Sequence, residues 1–208
     1  MRGWTVARVS GIPLQLHFSL PIGILLFGGL HVRPIFWLAA LFVIVIHELG
    51  HAAMVRITGH HVTRIVLHGA GGLCFWTGDA TKIARAQIAW GGVLAQLLIL
   101  APAYLVGTVW GDELPPWSGE VSYAFVRMNL WLIAINLIPA PRFDGYEAWP
   151  LFRLLLERRR ARAKKRVAAR TRETHALMQQ LDAAETATPP ADVEAVVADV
   201  FERAKKKR

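Results

Sequence analysis

The chain has one cysteine, Cys74, in 208 residues. A lone thiol closes no intrachain disulfide and builds no thiolate cluster, which excludes an oxidised scaffold and a cysteine-rich zinc site. Any metal in this chain falls to His, Asp or Glu. Charge is scarce too: charged residues make up 19% of the chain and hydrophobic ones 54%, with a mean hydropathy of +0.35. A disordered or collagen-like chain is excluded by those numbers, an ordinary soluble enzyme fits them poorly, and an integral membrane protein becomes the leading class. The charge that is present is uneven. The formal balance is +9, yet residues 153–208 alone hold 15 Lys and Arg against 8 Asp and Glu. Most of the surplus therefore sits in the last quarter of the chain. Its charged runs carry no interleaved aromatics for base stacking, so no nucleic-acid partner is expected; a membrane-embedded front part with a basic tail accounts for the distribution.

The uncharged runs divide the front part into four apolar segments. Between Arg8 and Arg33 lie 24 residues without formal charge, enough to cross a bilayer as a helix. Pro13, His17 and Pro21 interrupt its start, and residues 11–17 also read as a short strand or interfacial stretch. Residues 34–55 are mostly Leu, Ile, Val, Phe and Ala, yet carry His47, Glu48 and His51 in their C-terminal half. Ionisable groups inside an apolar span are costly, so function is the default reading. The glycine-rich stretch 58–82 reads as a hairpin or re-entrant loop, with β-branched residues ahead of Gly69-Ala70-Gly71-Gly72. Residues 86–110 form a third span, with Gly91-Gly92 as a point of close helix approach. Residues 121–141 form a fourth, ending at Pro139, Pro141 and Gly145, where a broken helix at membrane depth must line a buried cavity.

The expected architecture is an all-α polytopic membrane protein of about four transmembrane helices, with a short re-entrant β-hairpin and a cytoplasmic helical tail. Residues 1–152 form the core and 153–208 the tail. With the N-terminus in the cytoplasm, Arg2, Arg8, Arg56, Arg64, Lys82, Arg85 and the tail collect inside, against Arg33 outside. That distribution obeys the positive-inside rule and places both termini in the cytoplasm, most simply at the cell membrane. The first stretch has no small-residue cleavage site and is read as a retained anchor.

His47-Glu48-Leu49-Gly50-His51 is an HExxH pattern. On a helix, positions i and i+4 share a face, so both imidazoles reach one Zn2+ while Glu48 leans toward the open coordination position as general base and then general acid. A tetrahedral site needs a third protein ligand. Asp144 is the best-placed acid, at the broken end of the fourth segment, with Glu147 as the alternative. Taken alone, an aspartate ahead of Gly145 is a turn residue; beside HExxH the ligand reading prevails.

His47 to His51, together with Asn136-Leu137-Ile138-Pro139-Ala140-Pro141-Arg142-Phe143-Asp144-Gly145, resembles the paired signature of the site-2 protease family, the intramembrane zinc metalloproteases. The resemblance covers roughly residues 10–150 and includes the family's glycine-rich stretch at Gly71-Gly72. It implies His47, His51 and Asp144 as zinc ligands, Glu48 as activator of water, and substrate contacts from Asn136, Gln96, Gly71 and Gly72. Its substrates would be single-span regulatory membrane proteins. In the third segment the family has Gly-Pro and then an asparagine, whereas Gly92-Val93-Leu94-Ala95-Gln96 puts valine and glutamine there. Two rivals remain: a metal-binding or transport protein that does not hydrolyse, against which Glu48 argues because transport needs no general base, and an inactive protease-like adaptor, which predicts a lost ligand or base where none is lost.

The tail carries no proline or glycine over residues 154–185 and is expected as a basic helix that contacts anionic lipid or a protein. After Pro189-Pro190, Val193, Val196, Val197, Val200 and Phe201 fall at helical spacing as one apolar stripe.

Overall fold

A computed structural model describes residues 3–186, 195, 197–199, 202, 203 and 205. It divides into two compact units, Met1–Leu156 and Glu157–Arg208. Most of the stripe expected after Pro190 (Val193, Val196, Val200 and Phe201) lies outside the described residues.

The first unit is mostly helical with a small mixed sheet. Strands β1 (Trp4–Val9) and β2 (Ile12–Leu16) form a hairpin whose turn is made by Ser10 and Gly11, both at positive φ. Helix α1 (Leu20–Phe27) and helix α2 (Pro34–Ile57) follow. Then come β3 (His61–His68), β4 (Gly71–Thr77) and helix α3 (Lys82–Trp110). The strands lie in the order β1-β2-β3-β4, antiparallel at each hairpin and parallel between β2 and β3, where Leu14 faces Ile65 and Leu16 faces Leu67.

Helices α2 and α3 are both long and apolar enough to cross a membrane, but they are enclosed differently: 56% of the apolar stretch of α2 is buried, against 17% of that of α3. In α2 the buried positions Phe36, Ala39, Ala40, Val43, Ile44, His47, Glu48, His51, Ala52 and Val55 repeat every three or four residues, the stripe that a 3.6-residue turn lays against a neighbour. In α3, Leu97, Leu98, Tyr104 and Leu105 are exposed, Leu98 by 76%. A helix that turns large aliphatic side chains outward along its length suits hydrocarbon as its solvent.

The first apolar segment departs from the helix expected of it. It forms a strand, as residues 11–17 also allowed, followed by a short helix. Its lower end is fixed where Arg56 Nη2 donates to Ser10 O at 3.0 Å, and its upper end where Gly28 packs on Phe36. Between these points β2 is paired on both sides, so its backbone groups are satisfied without a helix. The eight residues of α1 span only about 12 Å. Gly28 and Gly29 stop it, and Gly29 and Leu30 both adopt positive φ.

The fourth segment is one helical run in three parts: α4 (Ser118–Ser122), a π-helical stretch (Tyr123–Met128) and α5 (Asn129–Asn136). Ahead of Phe36, Pro34 occupies the first turn of α2, which has no capping side chain of its own. Glu120 Oε2 fills that role from 84 residues away, accepting the Phe36 N–H at 3.0 Å, where a carboxylate also meets the positive end of the helix dipole. A turn at 137–143 leads to α6 (Asp144–Ala148), and α7 (Pro150–Thr186) is a single 37-residue helix, exposed over nearly all its length.

Candidate metal centre

The i, i+4 spacing of His47 and His51 does bring both imidazoles to one side of α2, each only 7% exposed. Their Nε2 atoms lie 3.0 Å apart. Asp144, delivered by the first turn of α6, places Oδ2 at 3.1 Å from His47 Nε2 and 3.2 Å from His51 Nε2. Glu147, the alternative acid, is exposed and does not join this cluster.

The loop that delivers Asp144 is held by indoles and a glycine. Trp149 Nε1 donates to Leu137 O at 2.7 Å, and Trp90 Nε1 donates to Ala148 O at 2.9 Å, with the Trp90, Trp149 and Phe152 rings packed on one another. Gly145 passes so close to the Leu137 carbonyl that a Cβ there would overlap it.

The chemistry of the donors decides what this cluster can hold. His51 Nδ1 lies 2.7 Å from Ile88 O, and a carbonyl only accepts, so Nδ1 carries the proton. His47 Nδ1 lies 2.9 Å from Gln96 Oε1 and donates there in the same way. A neutral imidazole has one N–H, which leaves both Nε2 atoms as bare lone pairs. Three lone-pair oxygen and nitrogen atoms thus face one another within about 3 Å, and Asp144 Oδ2 is buried with no hydrogen-bond partner. Such a set repels itself unless a proton or a metal cation lies among them. Ligands at about 2.0–2.1 Å around a tetrahedral ion stand roughly 3.3 Å apart, close to the observed separations. Two imidazoles and one carboxylate suit a divalent first-row metal with one coordination position left open.

Glycines make the space for this arrangement. Helices α2 and α3 cross with Gly50 against Gly91, each where a Cβ would strike the other's backbone, so the approach expected at Gly91-Gly92 is present with Gly50 as its partner. A Cβ on Gly92 would overlap the rings of His47 and His51. Ile88, Gly92 and Gln96 form an i, i+4, i+8 stripe of α3, and that stripe meets His51 and His47 of α2 in antiparallel order.

Glu48 is 2% exposed, and its Oε2 has no partner. Its carboxylate packs on β4 at Gly72, where a Cβ would overlap Cγ, Cδ and Oε1. Gly71 beside it has φ +128°, a backbone geometry that favours glycine. Asn136 Nδ2 approaches His47 Nε2 at 3.5 Å, at the rim of the cluster. Gln96 is fully buried, with its Oε1 at 2.9 Å from His47 Nδ1. Ile88, Gly50, Asn129 and Trp149 were not singled out from sequence. A backbone acceptor and packing partners leave no local pattern to find them by, apart from the run of small residues around Gly50.

The fold and site together define a class: a membrane-type helical protein with a helix-borne HExxH metal centre completed by a distant aspartate. The model of the Peptidase M50B-like family matches residues 22–138, more than half of the chain, and the chain belongs to that family. A zinc metalloprotease of Methanocaldococcus jannaschii is 28% identical over 145 residues, covering 66% of this chain and 42% of the relative. Rip3 of Mycobacterium tuberculosis, provisionally named a zinc metalloprotease, is 27% identical over 161 residues, covering 67% of this chain and 41% of the relative. The chain thus spans about two fifths of the length of the curated relatives it matches. The solved site-2 protease of Methanocaldococcus jannaschii shares the fold, with a TM-score of 0.55 and 22% identity over 76% of this chain and 73% of that one.

Proposed function

We propose that this chain is an intramembrane zinc metalloprotease that hydrolyses peptide bonds in transmembrane substrates. The observation that carries the reading is the convergence of three ligand atoms, His47 Nε2, His51 Nε2 and Asp144 Oδ2, beside a buried Glu48 carboxylate whose Oε2 has no hydrogen-bond partner. The zinc named for the relatives is the metal this ligand set would hold.

When bound, zinc supplies a Lewis acid that acidifies water and polarises the scissile carbonyl. Glu48 takes the proton released by the attacking water and hands it to the departing amine, as general base and then general acid. A carboxylate with no hydrogen bond to Oε2 is free for that exchange. Asn136 offers an amide N–H at the rim of the site, where charge develops on the carbonyl oxygen. A helical substrate hides its carbonyls in i to i−4 bonds and must unwind first. The outer edge of β4, next to Glu48 at Gly72, offers a strand against which an unwound segment pairs in extended form.

The topology we propose is multi-pass: α2, α3 and the run 118–136 cross as helices, the first segment crosses as strand plus short helix, and the hairpin β3–β4 enters and leaves on the cytoplasmic side, at the cell membrane with both termini inside. The partners are a single-span membrane protein as substrate and the lipid bilayer. Residues 158–172 hold nine Lys and Arg and no Asp or Glu, and this stretch of α7 is exposed. Juxtamembrane basic clusters attract anionic headgroups at about 1 kcal/mol per residue. The tail therefore contacts the anionic cytoplasmic leaflet. Replacing six of the nine basic residues by glutamine and comparing activity in neutral and anionic vesicles tests this. The parent should depend on anionic lipid and the variant should not.

The test of the main reading is cleavage of a model single-span substrate by the detergent-purified protein. Activity should vanish with a chelator and return with zinc. Cleavage that persists with metal stripped to below one part in a hundred overturns it.

A further inference from the structure

We infer that Gln96 is a positioning residue for the metal centre: its side-chain carbonyl holds His47 in the tautomer and orientation that leave Nε2 free to bind metal. The inference rests on the metal reading above and assigns Gln96 a place behind a ligand, not against the substrate.

Four observations support it. Gln96 is 0% exposed, so its amide meets neither solvent nor a substrate. Its Oε1 lies 2.9 Å from His47 Nδ1, within reach of a well-formed N–H···O bond. Gln96 falls on the same stripe of α3 as Ile88 and Gly92, which hold and make room for the histidines. Its backbone is fixed as well, since Asn129 Nδ2, itself fully buried, donates to Gln96 O at 3.1 Å. The side chain therefore starts from an anchored point on α3 and ends on an imidazole of α2.

The two histidines are not held alike. His51 gives its Nδ1 proton to a backbone carbonyl, which no substitution can delete. His47 gives its proton to a side chain, so its orientation is the one the sequence controls. Without an acceptor at Nδ1, the imidazole is free to move its proton to Nε2 or to rotate, and either costs metal affinity.

The test compares the parent with Gln96→Met, which keeps the volume and loses the acceptor, and with Gln96→Glu, which keeps an acceptor and adds charge. All are measured as full chains in detergent. Zinc release to a graded series of chelators is one readout, and the ¹⁵N shifts of the His47 ring in metal-free protein are the other. Gln96→Met should release zinc about 10–100-fold more readily and lose the Nδ1–H tautomer, while Gln96→Glu should keep that tautomer and hold zinc at least as well as Gln96→Met.

If Gln96 only filled space, the order would reverse. Methionine would be tolerated, and a buried carboxylate would be the worse of the two. That order, or a Gln96→Met variant that holds zinc as the parent does, overturns the assignment. A parent chain that takes up no zinc at all overturns the metal reading instead, and the two failures are told apart by the parent alone.

Discussion

Helices α2 and α3 are alike in length and apolar character, yet they do opposite things for the site. All the groups on these two helices that would touch metal or water, His47, Glu48 and His51, come from α2. The stripe of α3 that faces them offers a backbone carbonyl at Ile88, an empty place at Gly92 and a buried amide at Gln96. On the proposed reading, one helix carries the reacting atoms and the other sets where those atoms point. Strand β4 does for Glu48 what α3 does for the histidines, since Gly72 gives its carboxylate room. Pattern reading from sequence detects the first kind of residue readily and the second kind poorly.

The division is open to being broken, and the largest effect should come from α2 itself. Glu48→Gln removes the proton acceptor and leaves all three ligands, so turnover should fall about 10²–10⁴-fold with zinc content unchanged. Both are measured on one preparation, and near-normal turnover would end the protease mechanism. Next comes Gly72→Ala. Its Cβ overlaps the Glu48 carboxylate, and displacing a reacting group by about an ångström costs roughly a hundredfold in turnover. Zinc content should again be unaffected. Equal loss of zinc and activity would show that β4 supports the ligands and not Glu48.

Gly92→Ala tests the α3 side by the opposite signature. The added methyl pushes on both imidazoles, so metal affinity should drop about 10–100-fold and activity should return when zinc is raised. Activity that stays lost at saturating zinc would mean that α3 shapes more than the ligands. The smallest effect belongs far from the site. Glu120→Ala removes the carboxylate that accepts the Phe36 N–H and should lower stability by about 1 kcal/mol, read by denaturation, with zinc affinity unchanged.

How much the sequence disclosed follows the same line. The shared helix face of His47 and His51 is legible because helical spacing is local, and Asp144, which joins their cluster, stands out because two prolines and a glycine mark a break in the fourth segment. The contact between Gln96 and His47 joins positions 49 apart, and no spacing rule reaches that far, so only the resemblance brings Gln96 to notice, and it does so as a substrate contact. For the first segment, lack of charge points to a spanning helix while residues 11–17 also read as a short strand, and the strand is what forms at Ile12–Leu16. Its strand is settled by β3, whose Leu67 lies opposite Leu16, a partner that apolar composition does not reveal. The interruptions at Pro13 and His17 were the local sign of it.

That strand has a consequence for the order in which the chain is made. β2 is complete only when β3 lies beside it in parallel, and β3 begins at His61, after the whole of α2. With the sheet placed in the bilayer, residues 12–27 on their own would present a strand edge to lipid and a helix of only eight residues, neither of which is stable there. On that placement, which belongs to the proposed topology, the first segment would not be stable in lipid as it emerges. It would have to stay sheltered while α2 and β3 are made, until the β3–β4 hairpin lies beside it.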